Sequence, residues 1–116
     1  MSYEGSCHCG AVTFEVAEDR PSEAISCNCS HCRRKGFLLT FVPALSFSLT
    51  SGSEELVDYT FYKHRLRHRV CRTCGVQCFA EGTSPNGTET RAVNLRCVPA
   101  IDLDALAIDR VNGADF

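Results

Sequence analysis

Most of the cysteines in this chain fall into three short-spaced groups that have the spacing of metal ligands. The groups are Cys7 with Cys9, Cys27 with Cys29 and Cys32, and Cys71 with Cys74. A tetrahedral structural zinc needs four thiolate or imidazole ligands, and two turns that each supply a close pair commonly provide them. We therefore expect the first and the last group to close one structural zinc site.

The middle group is then left with three thiols and no obvious fourth protein ligand. Three protein ligands plus an open position are typical of a catalytic zinc. Cys27, Cys29 and Cys32 are therefore predicted to be both metal ligands and the catalytic centre. The sequence thus predicts two zinc ions per chain, one structural and one catalytic.

A glycine follows the second cysteine in each structural pair. Gly10 comes after Cys9, and Gly75 comes after Cys74. Glycine adopts positive φ at no steric cost, which lets the backbone turn tightly beneath a metal. We expect a metal-binding knuckle at both places.

The cysteine pattern has three other interpretations. A disulfide framework is disfavoured because the count of nine is odd and no signal sequence precedes Cys7. A thioredoxin-like redox pair at Cys71 and Cys74 wants a βαβ context, which the strand-like flanks do not offer. Spacing alone leaves an iron–sulfur centre open, because thiolate clusters also hold iron.

Composition indicates one ordinary globular domain over residues 1–116. The chain is 44% hydrophobic and 22% charged, with a formal net charge of −2. No apolar run approaches the length needed to span a membrane, and the reduced cysteines favour the cytoplasm. We expect no membrane partner.

Alternation with a period of two residues dominates the chain and predicts a mostly β fold. Val12, Phe14 and Val16 share one face of a strand, and similar patterns recur between residues 37 and 98. Helical periodicity is lacking except near the C-terminus, where Asp102 is a candidate N-cap. We expect at most one short helix, C-terminal, through about Ala107.

Four motifs carry a resemblance to a known family. They are GSCHCGAVTFEV at residues 5–16, CNCSHCRRKG at residues 27–36, VCRTCG at residues 70–75 and VNLRCV at residues 93–98. In this order they resemble the glutathione-dependent formaldehyde-activating enzymes. The resemblance covers nearly the whole chain.

This resemblance implies a β-tent fold, similar to that of a zinc-binding guanine-nucleotide-release factor. It implies the same partition of the cysteines into one structural and one catalytic zinc site. The activity that it implies is that of a carbon–sulfur lyase, S-(hydroxymethyl)glutathione synthase, which joins glutathione or a similar small thiol to formaldehyde. A noncatalytic zinc-binding interaction module on the same fold is the alternative.

Basic residues directly follow the last ligand of the three-thiol group. Arg33, Arg34 and Lys35 are candidates for offsetting thiolate charge and for binding the two carboxylates of glutathione. His31, inside the group, is a surface histidine or a proton relay. His8 is assigned no role, because its ring should point away from the metal.

A second basic stretch spans residues 63–69, where Lys63, Arg65, Arg67 and Arg69 would line one face of a strand. That face is a candidate substrate rim or a solvated strand. Nucleic acid is an unlikely partner because the domain is slightly acidic. Cys78 and Cys97 stand outside the ligand groups and are expected to be buried, unless one of them closes the second zinc site.

Overall fold

The computed structural model describes residues 1–61 and 66–113, and these form two β-sheets. The small sheet is antiparallel, in the order β1 (Tyr3–Ser6), β2 (Thr13–Val16) and β5 (Phe47–Ser51). The large sheet has the order β10 (Ala107–Val111), β3 (Glu23–Cys27), β4 (Leu39–Pro43), β9 (Glu89–Asn94), β8 (Gln77–Thr83), β7 (Arg67–Cys71) and β6 (Leu56–Tyr59). All its neighbours are antiparallel except β10 and β3. The predicted mostly β class is confirmed.

Buried and exposed residues alternate in the first predicted strand, as expected. Val12, Phe14 and Val16 are fully buried, whereas Glu15 on the opposite face is exposed. Apolar side chains on one face of a strand remove surface from water and fix the register, because a slip of one residue would expose all of them.

The main core is centred on three phenylalanine rings contributed by both sheets. The Phe47 ring lies 5.4 Å from the ring of Phe14 and 4.6 Å from that of Phe79. Cys7 and Cys71, which begin the two predicted structural pairs, are buried in the same cluster. The four-thiol site is therefore built on the edge of the main core.

The α-helix of the described residues is not where the sequence predicts it. It is α1 (Ser30–Lys35), inside the central cysteine group, and near the C-terminus there is only a 3₁₀ turn (Leu103–Ala105). The predicted cap is correct, since the Asp102 side chain accepts a hydrogen bond from the Asp104 amide at 3.1 Å. At six residues, α1 is too short to show a helical period.

None of the helices formed by residues 1–61 and 66–113 has both the length and the apolar character that crossing a membrane requires.

Two leucines give a matched test of this core. Leu95 is 0% exposed and Leu45 is 100% exposed. We expect Leu95→Ala to lower the free energy of unfolding by about 3 kcal/mol, because it leaves a cavity in the core. Leu45→Ala should change it by less than about 0.5 kcal/mol. Urea unfolding of the zinc-loaded proteins measures both, and similar losses in the two variants would contradict the described packing.

Candidate metal centres and active site

The cysteines predicted to hold the structural zinc come together in space. The Sγ atoms of this four-cysteine cluster all lie within 4.8 Å of one another; its members are Cys7, Cys9, Cys71 and Cys74. The Cys9 sulfur is 3.6 Å from that of Cys7 and 3.7 Å from that of Cys71. A tetrahedral zinc with metal–sulfur distances of about 2.3 Å would place its sulfurs about 3.8 Å apart. The cluster therefore fits a zinc ion.

Two similar turns present these thiols. The Gly10 amide donates to the Cys7 carbonyl at 3.3 Å, and the Gly75 amide donates to the Cys71 carbonyl at 2.8 Å. Gly10 has φ of 83° and Gly75 has φ of 80°, which confirms the predicted positive-φ turns. A side chain at either glycine would strain the backbone beneath the sulfurs.

Within the four-cysteine cluster, the surroundings of Cys74 favour a thiolate. Burial opposes ionisation of Cys74, but the backbone amides of Cys9 and Val76 and the thiols of Cys71 and Cys7 lower its pKa to about 6. Donors aimed at a sulfur stabilise its charged form, and the thiolate is the form that binds metal.

The three-cysteine cluster, formed by Cys27, Cys29 and Cys32, is assembled across the start of α1. Cys27 ends β3, Cys29 is the N-cap of α1, and Cys32 lies in its first turn. The Cys32 amide donates to the Cys29 sulfur at 3.3 Å, and the Cys29 amide donates to the Cys27 sulfur at 3.5 Å. Cys29 thus caps the helix with sulfur where serine or aspartate would ordinarily use oxygen.

These three sulfurs also lie within 4.8 Å of one another. Burial opposes ionisation of Cys29, but hydrogen bonds from the backbone of Cys32, the thiol of Cys32, the backbone of His31 and the thiol of Cys27 lower its pKa. Burial first, and then its neighbour Cys29, raise the pKa of Cys32. Over residues 1–61 and 66–113, no histidine, carboxylate or further cysteine joins the group. The set fits a zinc ion with one open position.

Cys78 and Cys97 do not close that open position. Both are buried in the main core, and neither belongs to a ligand group. The Cys97 thiol is 3.9 Å from the carbonyl oxygen of Gln77. The expectation that these two cysteines are buried is confirmed.

The C-terminal strand brings a glycine against the three-cysteine cluster. β10 runs parallel to β3 and pairs Val111 with Cys27. A Cβ atom added at Gly113 would lie 2.3 Å from the Cys27 sulfur, so nothing larger than glycine fits there without a shift.

A cavity of about 560 Å³, the outer cavity, opens beside α1. Its walls include Arg34, Lys35, Tyr59 and Phe61. Arg33 is exposed but does not line it. Two of the three cations predicted to bind glutathione therefore line this cavity, whose walls include Ser30 and His31 of the central cysteine group but none of its thiols.

A second cavity of about 370 Å³, the inner cavity, lies directly beside the three thiols. It is lined mainly by apolar side chains, among them Leu39, Phe41, Ala80 and Ala92, together with the buried polar pair His68 and Gln77.

His31 is not a surface histidine but stands half-buried in a group of rings. Its ring centroid lies 4.0 Å from that of His68 and 5.1 Å from that of Phe61. Burial first, and then Lys35, lower the pKa of His31. Burial, His31 and Lys35 lower the pKa of His68 to about 4, so His68 is neutral at pH 7. His8 is exposed.

The basic stretch near residue 67 is largely neutralised. Arg67 pairs with Glu81, and Arg69 pairs with Asp58 at 2.5 Å and with Glu81 at 3.2 Å. Lys63 and Arg65 lie outside the described residues. The two described arginines form a network between strands and do not make a free anion-binding face.

The site contains residues that sequence reasoning passed over, chiefly His68, Gln77 and Gly113. His68 was counted as part of a basic run, and a Gln beside a cysteine motif carries no signal of its own. The sequence contained one sign of the helix α1. Gly36, after three basic residues, is a typical helix C-cap, and in the structure it ends α1 with φ of 71°.

Comparisons with known proteins identify a family and a similar fold. The family model for the glutathione-dependent formaldehyde-activating enzyme matches residues 2–105. A protein of Halomonas elongata named "Putative glutathione-dependent formaldehyde-activating enzyme" is 53% identical over 34 residues. These residues are 29% of this chain and only 22% of that protein. A crystal structure of a Rhodobacter sphaeroides protein, 28% identical, has a TM-score of 0.78 over 91% of this chain and 99% of that one.

The two clusters predict different consequences when one thiol is lost. Cys74→Ser should lower the free energy of unfolding by more than about 3 kcal/mol, because zinc binding at the four-cysteine cluster is coupled to folding. Cys29→Ser should cost less than about 1.5 kcal/mol and keep one zinc per chain. Zinc content by mass spectrometry and thermal melts measure both effects. Equal destabilisation by the two substitutions would contradict the assignment of structural and catalytic sites.

Proposed function

This chain belongs to the family of glutathione-dependent formaldehyde-activating enzymes, and from that premise we propose that it adds a small thiol, glutathione, reversibly to formaldehyde. The product is S-(hydroxymethyl)glutathione, and the reverse reaction is that of a carbon–sulfur lyase. We place the chemistry at the three-cysteine cluster with zinc as its metal. A reducing compartment such as the cytoplasm would keep all the thiols in their active form.

One observation carries this proposal. Three thiols converge beside the inner cavity, and no other ligand from the described residues completes their coordination. A structural site would be closed by four ligands, as the four-cysteine cluster is. A zinc ion bound there would supply the positive charge that keeps a substrate thiol deprotonated at neutral pH.

The reaction needs only a bond formed, a bond broken and a proton. The thiolate sulfur attacks the carbonyl carbon, a carbon–sulfur bond forms, and the π electrons of the carbonyl move to its oxygen. That oxygen takes up the proton that the thiol released. No oxidant or reductant takes part.

Basic residues of α1 can offset the negative charge that the bound thiolates bring to the zinc site. Zinc with three thiolates carries a formal charge of about −1, and a fourth thiolate makes it about −2. Arg34 and Lys35 bring positive charge to the outer cavity, which is also lined by Ser30 and His31, the residues between Cys29 and Cys32. The Arg34 guanidinium also donates to the Ser30 carbonyl at 2.8 Å, which holds it along the helix. We propose that the carboxylates of glutathione bind these two cations.

Two-dimensional exchange NMR with labelled formaldehyde and glutathione tests the reaction. Zinc-loaded wild-type protein should raise the rate at which the adduct interconverts with its components, whereas Cys29→Ser should leave it at the uncatalysed rate. Because thiols add to formaldehyde unaided, only the acceleration above that background counts. Failure of the wild-type protein to accelerate the exchange would rule out this substrate pair and favour the noncatalytic binding module.

Two substrate thiols, one with carboxylates and one without, test whether Arg34 and Lys35 bind the carboxylates of glutathione. The double variant Arg34→Gln, Lys35→Gln should raise KM for glutathione about tenfold, because two charge-assisted hydrogen bonds to carboxylates are lost. It should leave KM for 2-mercaptoethanol, which has no carboxylate, within about twofold. Steady-state kinetics with both thiols measure this, and equal changes for the two would exclude carboxylate binding by these residues.

A further inference from the structure

The inner cavity is much larger than formaldehyde, which has only two non-hydrogen atoms. Its volume of about 370 Å³ lies in the range of sites that hold small organic ligands. It adjoins Cys27, Cys29 and Cys32, so a molecule bound there lies next to the proposed reaction centre.

Strand register explains why the cavity exists. Tyr59, His68, Ala80, Ala92 and Phe41 are successive partners across five neighbouring strands, so they form one row on the large sheet. Partners of this kind lie side by side on the same face. The two alanines are the smallest members of the row, and they leave a gap between the imidazole at one end and the phenyl ring at the other.

The lining of this gap suits an apolar group. In the part of the chain that the structure describes, no Lys, Arg, Asp or Glu lines it. Glutathione carries two carboxylates and an ammonium group, and burying them without partners would be costly. The peptide part of the thiol therefore belongs in the outer cavity, where Arg34 and Lys35 lie. The inner cavity is left for the other reactant.

The polar pair in this lining is buried and incompletely satisfied. His68 is 5% exposed and Gln77 is 4% exposed. The Gln77 Nε2 donates to His68 Nδ1 at 3.0 Å, so a neutral His68 carries its proton on Nε2. Neither that Nε2 nor Gln77 Oε1 has a hydrogen-bond partner among the described residues. Buried polar atoms are rarely left unpaired unless a ligand or water takes them up.

The backbone that presents Gln77 is itself held in place. The Asn94 side-chain amide donates to the Gln77 carbonyl at 3.0 Å, and the Asn94 oxygen accepts from the Arg96 amide at 3.1 Å. His68 Nε2 and Gln77 Oε1 thus offer one donor and one acceptor among the residues that line the inner cavity. A carbonyl oxygen can accept from the donor, and the hydroxyl formed from it can also donate to the acceptor.

We propose that the inner cavity binds the aldehyde, that it takes aldehydes with an aliphatic or aromatic substituent, and that His68 and Gln77 hold the aldehyde oxygen. This inference rests on the proposed function for its thiol and extends the substrates beyond formaldehyde. The step is the same addition: sulfur bonds to the carbonyl carbon, and the oxygen gains the proton lost by the thiol. The product is a hemithioacetal with its substituent against Ala80 and Ala92.

Aldehydes of different size test the cavity on the zinc-loaded protein. With glutathione, wild-type protein should accelerate exchange of 3-methylbutanal at least as strongly as that of formaldehyde. Ala92→Leu fills the gap and should lower the acceleration for 3-methylbutanal at least tenfold while leaving that for formaldehyde within about threefold. Ala100→Leu, the same substitution at an exposed position, is the control and should change neither.

Binding of an unreactive alcohol gives a second readout that needs no turnover. 3-Methylbutan-1-ol should shift the amide resonances of Ala80 and Ala92 in nitrogen-15 spectra of the wild-type protein, and Ala92→Leu should abolish the shifts. His68→Phe keeps a ring but removes the hydrogen-bond donor, and it should lower the affinity for the alcohol about tenfold. His68→Gln restores a donor and should stay within about threefold of wild type.

The outcomes separate this inference from the proposed function. Acceleration with formaldehyde but not with 3-methylbutanal would overturn the inference and leave the proposed function intact. No acceleration with any aldehyde would overturn the proposed function, and alcohol binding abolished by Ala92→Leu would still support an apolar, oxygen-bearing ligand in the cavity. Equal alcohol affinity in wild type, Ala92→Leu and His68→Phe would overturn the inference in every case.

Discussion

The convergence of four thiols from two distant turns is the constraint on which the rest of the structure depends. One turn follows β1 of the small sheet and the other follows β7 of the large sheet. The sulfurs of Cys9 and Cys71 meet although 62 positions separate them in the chain. A metal bound there ties the two sheets together over a core that contains Cys7 and Cys71. A domain of this size gains only a small net stability from burying apolar surface. Metal binding at the four-cysteine cluster would add to the free energy of folding.

The three-cysteine cluster is built by different means, and this difference suits a different role. Its thiols are carried by a strand end and the first turn of a six-residue helix, where backbone amides donate to sulfur. Those donors stabilise thiolates without surrounding the site completely. The absence of a fourth ligand from the described residues then leaves room for a substrate sulfur.

The two cavities near α1 and the three-cysteine cluster differ in the polarity of their linings. The outer cavity is lined by two cations, three rings and Ser30, whereas the inner cavity is lined by apolar side chains, the three thiols, one histidine and one glutamine. His31 lines the outer cavity and His68 lines the inner one, and their ring centroids are 4.0 Å apart. The proposed reaction joins a charged thiol to an uncharged aldehyde, and each would be bound best in the environment that matches its charge.

The cysteine spacing by itself predicted both cysteine clusters that could hold a metal ion, and period-two alternation predicted the mostly β class. Both signals are local, because ligand pairs sit within one turn and a strand face repeats every two residues. The helix Ser30–Lys35 was missed since it is too short for a period, although Gly36 marked its end.

What only the tertiary structure decided is the inner cavity and its polar pair. His68, Ala80 and Ala92 come from three strands, and only the register of those strands aligns them. In the same way, the parallel pairing of β10 with β3 alone brings Gly113 to the Cys27 sulfur. Pairing between strands and burial of one sheet face set this register together, so the residues around any one of these positions do not reveal the pocket.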